Sequence, residues 1–277
     1  MKTEELFGLD RTRCVKCGLC AKDCLFGALK TGGDGFPVMT DPGKCMRCQH
    51  CMAICPKAAV RFGGKRPEDS VAAEGLPLPG AEEAENFLRT RRSVRKYQDR
   101  DVERGLIERI LKVLGNSPTG CNARSLKFTC LSTRKAMDEF RRKFIQVVER
   151  HREGNKLLPR WLAVPAIQLR DGKSDIFFRG APGMLIVSSD ETAPGITTPH
   201  EDVVIACSMF ELLSRSHGLG TCWCGFLKLV QSEIPELLVE ILGFRPSTPF
   251  YAMLFGYPAV EYRRGVQRDD EAEIDWR

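Results

Sequence analysis

Apolar residues recur at helical spacing along much of the chain beyond residue 80. In residues 106–114 they stand three or four positions apart and stop at Gly115, which predicts a helix with Asp101 as its N-cap. A shorter helix is predicted over residues 81–90, where acidic side chains fill the first turn. A longer amphipathic helix is predicted over residues 133–152, with these positions facing inward: Met137, Phe140, Phe144, Val147 and Val148.

The second half of the chain alternates helical patterns with short apolar runs. A helix is predicted over residues 201–216, with these positions facing inward: Val204, Ile205, Met209, Leu212 and Leu213. Ser232 is predicted to cap a short helix that ends near Leu242. Short apolar runs predict strands over residues 128–131, 181–188 and 251–255. Three aromatic residues in a weakly patterned segment either line a substrate pocket or fill the core, and we interpret them as core: Trp161, Phe177 and Phe178.

Cysteine spacing dominates the first 60 residues. The spacing C-x2-C-x2-C-x3-C occurs twice, and the second copy is followed by Pro56. The first copy consists of Cys14, Cys17, Cys20 and Cys24, and the second of Cys45, Cys48, Cys51 and Cys55. The copies also match outside the cysteines at an offset of 31 residues, which makes the segment an internal repeat.

This repeat resembles the two-cluster bacterial-type ferredoxin domain, over roughly residues 10–62. In such runs the fourth cysteine ligates the other cluster, so the resemblance implies two interleaved [4Fe-4S] sites. One cluster is assigned to Cys14, Cys17, Cys20 and Cys55, and the other to Cys45, Cys48, Cys51 and Cys24. Leu25 follows Cys24 where the family has proline, a residue that shapes the turn rather than the chemistry.

Two other uses of these cysteines fit the sequence less well. Structural zinc sites use pairs of cysteines around a tetrahedral ion. They do not require runs of three closely spaced cysteines followed by a fourth. Disulfides belong to short secreted chains, whereas this chain starts MKTEELFGLD, without the apolar segment of a signal peptide. We therefore favour iron–sulfur clusters.

Composition limits the domain organisation, location and partners expected of the protein. The chain has 277 residues, of which 43% are hydrophobic, enough for one sizeable core and a small second domain. No apolar run approaches the length of a membrane span, so we expect a cytoplasmic protein without a membrane partner. The 42 basic and 36 acidic residues form a mixed surface, which argues against a nucleic-acid partner.

The segment after the repeat predicts a change of domain. Residues 63–80 are rich in glycine, proline and charge, which predicts a linker between a domain at 1–62 and another at 81–277. Just beyond it, RRSVR packs three arginines and a serine into residues 91–95. Such a group suits a phosphate, although taken alone a run of charge is more often a solvated face.

Three later segments share a bias toward small and polar residues. NSPTGCNARSLKF, in residues 116–128, is a loop of the kind that places amides against a ligand. GLGTCWCGF, in residues 218–226, combines glycines with Cys222 and Cys224, whose spacing is too long for an unstrained disulfide and which lack partner ligands for a metal. GYP, at residues 256–258, is followed by scattered arginines, which indicates an arm that returns toward an anion.

The order and spacing of these four segments resemble the FMN-dependent nitroreductase family over roughly residues 82–277. The resemblance implies an α+β fold, with a mixed sheet flanked by helices, that forms a homodimer with FMN at the subunit interface. It implies that the ribityl phosphate is held by Arg91, Arg92, Ser93 and Arg95, and by the tail residues Arg264 and Arg268. It places these residues beside the flavin: Asn122, Arg124, Cys222, Trp223, Cys224 and Gly225.

One departure concerns the loop, where the family has Asn-x-Gln-Pro-Trp and this chain has Asn-Ala-Arg-Ser-Leu from Asn122. Arg124 would bring positive charge toward the flavin or recruit an acidic substrate. An amide near Cys224 is expected to donate toward the flavin N5. No side-chain acid or nucleophile is identifiable, so no catalytic residue is assigned.

The two resemblances together predict an oxidoreductase. Electrons are expected to pass from two [4Fe-4S] clusters to FMN and then to a small organic acceptor such as a nitroaromatic or a quinone. No G-x-G-x-x-G follows a predicted strand, so a redox protein such as a reduced ferredoxin is an expected donor beside a reduced nicotinamide cofactor. Two alternatives stay open: a relay that feeds a partner protein, and a chain that has lost flavin binding.

Overall fold

The computed structural model of the chain describes residues 6–154, 158–192, 195–267 and 272–277. The chain folds as two compact units, Met1–Pro79 and Gly80–Arg277. Most of the predicted linker, residues 63–80, therefore belongs to the first unit, where Arg13 forms an ion pair with Glu68. In the described part of the chain, no helix combines the length and the apolar character that crossing a membrane requires.

In its described residues, the first unit contains two short antiparallel strand pairs and two one-turn α-helices. Its elements are β1 (Phe7–Leu9), α1 (Leu19–Lys22), β2 (Leu29–Thr31), β3 (Pro37–Met39), α2 (His50–Ala53) and β4 (Val60–Phe62). Strand β1 pairs with β4, and β2 pairs with β3. The small core between them contains Phe7, Leu29, Met52, Val60 and Phe62.

The repeat seen in the sequence is also a repeat of backbone geometry. Helix α1 begins after Gly18, with φ 72°, and helix α2 begins after Gln49, with φ 65°. Lys16 and Arg47 stand at matching positions and have φ values of 55° and 57°. The left-handed region is costly for residues other than glycine, so its recurrence in the second copy shows that the cysteine loop demands this conformation.

The second unit is a four-stranded sheet with helices on both faces. Its strands are β5 (Leu126–Leu131), β6 (Gly183–Ser189), β7 (Gly220–Trp223) and β8 (Phe250–Gly256). They lie in the order β5-β6-β8-β7, and each of these pairings is antiparallel. Its helices are α3 (Ala81–Arg89), α4 (Arg104–Leu114), α5 (Arg134–Glu153), α6 (Arg160–Arg170), α7 (Pro199–Ser216), α8 (Gly225–Glu233) and α9 (Pro235–Leu242).

The core of the second unit lies on both sides of strand β6, which is buried along its whole length. Met184 and Ile186 point into a cluster with residues of α5, α6, α8 and α9. Leu185 and Val187 point the opposite way, into a cluster with residues of α4 and α7. Successive strand residues face opposite sides, so a strand between two helical layers is apolar on both faces, as β6 is from Met184 to Val187. The predicted α+β class is confirmed.

Several predicted elements are confirmed with small shifts at their ends. Helix α5 covers the predicted stretch, and its five predicted inward positions are buried. The strands predicted over residues 128–131, 181–188 and 251–255 correspond to β5, β6 and β8. Phe177 and Phe178 are buried in the core and Trp161 packs against it, so the interpretation of these aromatic residues as core is confirmed.

Two predicted caps were wrong. Helix α4 has Glu103 at its N-cap, whereas the Asp101 carboxylate accepts a hydrogen bond from the backbone amide of Arg134, at the start of α5. Ser232 lies in the last turn of α8, where its hydroxyl donates to the Leu229 carbonyl oxygen, and helix α9 starts independently at Pro235. Asp101 has a partner that its spacing from α4 does not indicate, whereas Ser232 bonds to a carbonyl group three residues earlier in its own helix.

The predicted inward face of α7 was also partly wrong. Val204 and Ile205 are exposed, while Val203, Ala206 and Phe210 are buried. Helix α7 carries apolar residues on more than one side, so its pattern leaves the orientation open by about one position. The sheet selects the face that places Phe210 against Phe255 of β8.

Candidate functional site

The eight cysteines of the repeat are sorted into two groups of four. One cavity is lined by Cys14, Cys17, Cys20 and Cys55, and a second is lined by Cys24, Cys45, Cys48 and Cys51. Each group therefore combines three thiols of one run with the last thiol of the other run. The grouping follows from the fold, because helices α1 and α2 pack against each other and carry both runs side by side.

The thiols surround their cavities rather than converge on one point. Among the described residues, no group of three or more His, Cys, Asp or Glu side chains is placed to hold a single metal ion. Apolar side chains complete the walls, including Leu19 and Val60 in one cavity and Phe26 and Phe62 in the other. Burial raises the pKa of the Cys51 thiol to about 12, so this thiol is protonated when no cation is bound. A set of four thiols around an apolar cavity suits a polynuclear iron–sulfur group.

In the second unit, the arginine-rich segment lies along strand β7. The Val94 amide donates to the Thr221 carbonyl oxygen at 2.8 Å, which joins the segment to the strand. A Cβ atom on Gly220 would lie only 2.5 Å from Val94 Cγ2, so this close approach requires glycine. The structure thus brings together RRSVR and GLGTCWCGF, two motifs that are more than 100 residues apart in sequence.

Arg91 is held by a buried acid. Its Nη1 donates to Glu211 Oε1 at 2.9 Å, and Trp223 Nε1 donates to Glu211 Oε2 at 3.0 Å. The Glu211 side chain is 9% exposed and that of Arg91 is 35% exposed. The Thr221 hydroxyl approaches the same carboxylate at 3.5 Å. Glu211 therefore links the first arginine of the motif to strand β7.

Arg92 faces the end of helix α3 instead. Its guanidinium donates to the carbonyl oxygens of Arg89 and Arg91, and Arg215 donates to the Phe87 carbonyl oxygen and to the Thr90 hydroxyl. Cationic side chains at these carbonyl groups cap the C-terminus of the helix. The Arg92 Nε is buried and has no hydrogen-bond partner within the described residues. Two hydrogen bonds of Arg92 are thus made to carbonyl groups at and just beyond the end of this helix.

The C-terminal arm, which was predicted to return toward an anion, contacts the arginine-rich segment. The Ala259 amide donates to the Lys96 carbonyl oxygen, and the Tyr262 hydroxyl donates to the Ser93 carbonyl oxygen. Arg264 lies on this arm and is exposed. The other predicted tail residue, Arg268, lies outside the described residues.

A cleft of about 230 Å³ lies between the arm, the arginine-rich segment and strand β7. Three guanidinium groups line it, those of Arg91, Arg92 and Arg215, together with the carboxylates of Glu211 and Glu261. Burial, with smaller effects of Arg91 and Arg92, lowers the pKa of Arg215. Such crowding of cations indicates a place where an anion is favourable.

Arg95 lies at the neighbouring face of β7. It is exposed, and it is placed to hydrogen-bond the thiol of Cys222. Burial raises the pKa of that thiol, and the charges of Arg95 and Arg179 partly oppose the effect. Positive charge therefore extends from the cleft along the strand that ends at Trp223.

The segment Cys222–Gly225 forms the junction between β7 and α8. Every cysteine of the chain is a free thiol, and burial raises the pKa of Cys224 to about 12. The Cys224 amide donates to the Ala252 carbonyl oxygen at 2.9 Å, so it belongs to the sheet. Gly225 opens helix α8, where the Leu227 amide donates to the Cys224 carbonyl oxygen and the first two amides have no partner within the helix. The first turn of α8 is thus the place near Cys224 where an amide can meet a ligand.

The polar loop before β5 is fastened to helix α7. The Gly120 amide donates to Asp202 Oδ1 at 2.9 Å, and a Cβ on Gly120 would meet the Thr197 and Thr198 hydroxyls at 2.3 Å. Asn122 and Arg124 both have φ of 53°, a strained value for these residue types. The Arg124 guanidinium donates to the Gly115 carbonyl oxygen, at the end of α4, which holds its charge at that helix end in this chain.

Glu211 and Arg215 are site residues that the sequence interpretation missed. Both lie on α7, one turn apart, within a predicted helix to which no site residue was assigned. The sequence carried no clear signal for Glu211, because the predicted inward face of α7 excluded it. A buried carboxylate requires a cationic partner, and local spacing does not show which one.

Comparison with known proteins agrees with this architecture. Residues 88–257 match the nitroreductase family, and residues 13–59 match the 4Fe-4S dicluster domain. The chain is 27% identical over 183 residues to a Methanothermobacter thermautotrophicus protein inferred to be an NADH dehydrogenase/NAD(P)H nitroreductase, a match that covers 62% of this chain and 75% of that protein. It is 40% identical over 50 residues to one component of the Na⁺-translocating ferredoxin:NAD⁺ oxidoreductase complex of Acetobacterium woodii, covering 18% of this chain and 15% of that component.

A solved structure shows the same fold. The FMN-bound nitroreductase of Bacteroides fragilis superposes with a TM-score of 0.53 at 19% sequence identity, over 70% of this chain and 99% of that one. The family match spans more than half of the chain and contains the sheet, the arginine-rich segment after Arg89 and the β7–α8 junction. The protein is therefore an oxidoreductase of the nitroreductase family that carries a 4Fe-4S dicluster domain at its N-terminal end.

Proposed function

We propose that this protein is an iron–sulfur flavoenzyme that passes electrons from two [4Fe-4S] clusters to FMN and on to a small organic acceptor. The observation that carries the proposal is the sorting of eight cysteines into two four-thiol cavities, in the same chain as a nitroreductase-family domain. Four thiolates per cluster are the ligand set that [4Fe-4S] groups take. A zinc site would instead bring its four ligands within bonding distance of one ion.

The second unit offers a fitting place for FMN. The cleft beside Arg91 and Arg92 suits the phosphate, because guanidinium groups bind phosphate through paired hydrogen bonds. We propose Ser93, Arg95 and Arg264 as further contacts of the phosphate. Ser93 contacts the C-terminal arm through Tyr262, and the first turn of α8 presents amides at the end of β7. When bound, FMN supplies the redox chemistry; it accepts single electrons and donates a pair. The chain supplies binding, orientation and positive charge near the ring.

The pairing of cluster and flavin domains has a chemical reason. An iron–sulfur cluster carries one electron at a time, whereas reduction of a nitro group or a quinone requires two electrons and two protons. A domain that carries single electrons, in the same chain as a domain that delivers pairs, resolves this mismatch. The names of the two curated relatives include NAD(P)H and ferredoxin, so we propose a redox protein or a reduced nicotinamide cofactor as donor.

The assembly and setting of the protein are part of the same proposal. We infer a homodimer, since Val204 and Ile205 on helix α7 expose 43% and 39% of their surfaces in the single chain. We also expect the protein to act in the cytoplasm and to need neither a nucleic acid nor a membrane. Sedimentation of the full chain with its cofactors tests the dimer, and a monomer at micromolar concentration would contradict it.

The main proposal is tested by anaerobic purification followed by iron, sulfide and flavin analysis. We expect about eight iron atoms and about one FMN per chain. Dithionite should reduce both cofactor types, and addition of a nitroaromatic compound or a quinone should reoxidise them. A purified protein without flavin would overturn the proposal. A reduced protein that is not reoxidised by any small acceptor but reduces an added redox protein would instead support the alternative, a relay that feeds a partner protein.

A further inference from the structure

Glu211 occupies an unusual position for a carboxylate. It sits on the sheet-facing side of α7, is 6% exposed as a residue, and shares that side with Val203, Ala206 and Phe210. Its two oxygens accept hydrogen bonds from separate parts of the molecule, Arg91 on one side and Trp223 on the other. These donors belong to the two motifs that define the proposed flavin site.

The charges around Glu211 explain what the carboxylate does. The guanidinium groups of Arg91, Arg92 and Arg215 line one cleft, and their mutual repulsion disfavours a fixed arrangement. Arg92 and Arg215 are anchored on the C-terminal end of helix α3. Arg91 has no comparable backbone anchor among the described residues, and its hydrogen bond to Glu211 fixes one edge of its guanidinium. The other edge stays available to the cleft.

We propose that Glu211 is a positioning residue for flavin binding. Its carboxylate holds the Arg91 guanidinium in place for a phosphate and, through its second oxygen, connects this arginine to Trp223 on strand β7. The inference rests on the proposed FMN site. Its consequence is selectivity between flavins, because FMN carries the phosphate and riboflavin does not. A guanidinium that is already held in position loses little conformational entropy when the phosphate binds. This raises the affinity for FMN and leaves the affinity for riboflavin unchanged.

The test is the variant Glu211→Gln, which keeps the volume and the acceptor oxygen but removes the charge. Full-length protein freed of flavin is titrated with FMN and with riboflavin, and binding is followed by quenching of flavin fluorescence. We expect FMN to bind about tenfold more weakly, with riboflavin changed by less than about twofold. Glu108→Gln is the control, since Glu108 pairs with Arg104 on the exposed side of α4 and touches neither motif. This control should bind both flavins as the wild type does.

A double-variant cycle separates positioning from a general structural role. If Glu211 acts through Arg91, the double variant should prefer FMN over riboflavin about as much as Arg91→Gln alone does. The double variant also removes both members of the buried pair, so it avoids the uncompensated carboxylate that Arg91→Gln alone leaves in the core. A merely structural glutamate would weaken both flavins alike in either background.

Three outcomes decide the matter. Unchanged or tighter FMN binding by Glu211→Gln would overturn the positioning role, as would an additive effect in the double variant. Selective loss of FMN with non-additivity would support it. If the wild-type protein binds neither flavin, the proposed function fails at that first titration, before any variant is compared.

Discussion

The crossing of cysteine ligands between the two runs can be tested by replacing Cys55 with alanine. Cys55 is the last cysteine of the second run, yet it lines the cavity of Cys14, Cys17 and Cys20. Alanine removes one of four thiols there and leaves the second cavity with its full set. We therefore expect the iron content to fall from about eight to about four atoms per chain, with sulfide falling in proportion.

Combined variants show which cluster has been lost. Cys14→Ala belongs to the same cavity as Cys55→Ala, so the double variant should retain about four iron atoms. Cys45→Ala belongs to the other cavity, so its combination with Cys55→Ala should leave almost no iron. If each run instead held its own cluster, the two results would be exchanged. Iron is measured colorimetrically on anaerobically purified protein, beside electron paramagnetic resonance of the reduced state.

A control distinguishes ligand loss from general damage. Cys121 lies in the loop before β5, is exposed and lines neither cavity. Cys121→Ala should retain all of the iron. Equal iron in the Cys55→Ala and Cys121→Ala proteins would refute the assignment of Cys55 as a ligand.

Two further predictions concern the packing of the second unit. Gly220→Ala would place a Cβ 2.5 Å from Val94 Cγ2, so we expect urea titration to show a free energy of unfolding lower by about 1–3 kcal/mol. Gly105→Ala, on helix α4 with no atom within 4 Å of the added Cβ, should raise it by about 0.5–1 kcal/mol; a Gly220→Ala protein as stable as the wild type would contradict the close contact. Burial raises the pKa of Cys207 and Cys224 to about 12, so the reactive thiolate of each forms only as the pH approaches that value. Both thiols should resist iodoacetamide at pH 8 in the folded protein and react in urea, as peptide mass spectrometry can show; equal labelling under both conditions would disprove their burial.

The arginine-rich segment shows how much of a site a sequence motif can predict. Its composition suits a phosphate but is by itself more often that of a solvated face, and the structure places it beside β7 and the C-terminal arm, around one cleft. Composition did not distinguish the arginines from one another. Arg91 pairs with a buried acid, Arg92 caps a helix, and Arg95 lies near a thiol. These differences depend on neighbours contributed by α3, α7 and β7, which no local pattern contains.

By itself the sequence determined the features that depend on short range. The spacing of the cysteines gave two thiol runs, the 31-residue offset gave the repeat, and apolar periodicity gave α5 and the strands. Only the tertiary structure decided which face of α7 is buried and that Asp101 accepts from the Arg134 amide at the start of α5. It also decided that Glu211 pairs with Arg91. The physical reason is the same in each case. A helix with apolar residues on several sides, or a polar side chain with more than one reachable partner, has near-equal local choices, and packing against distant segments selects among them.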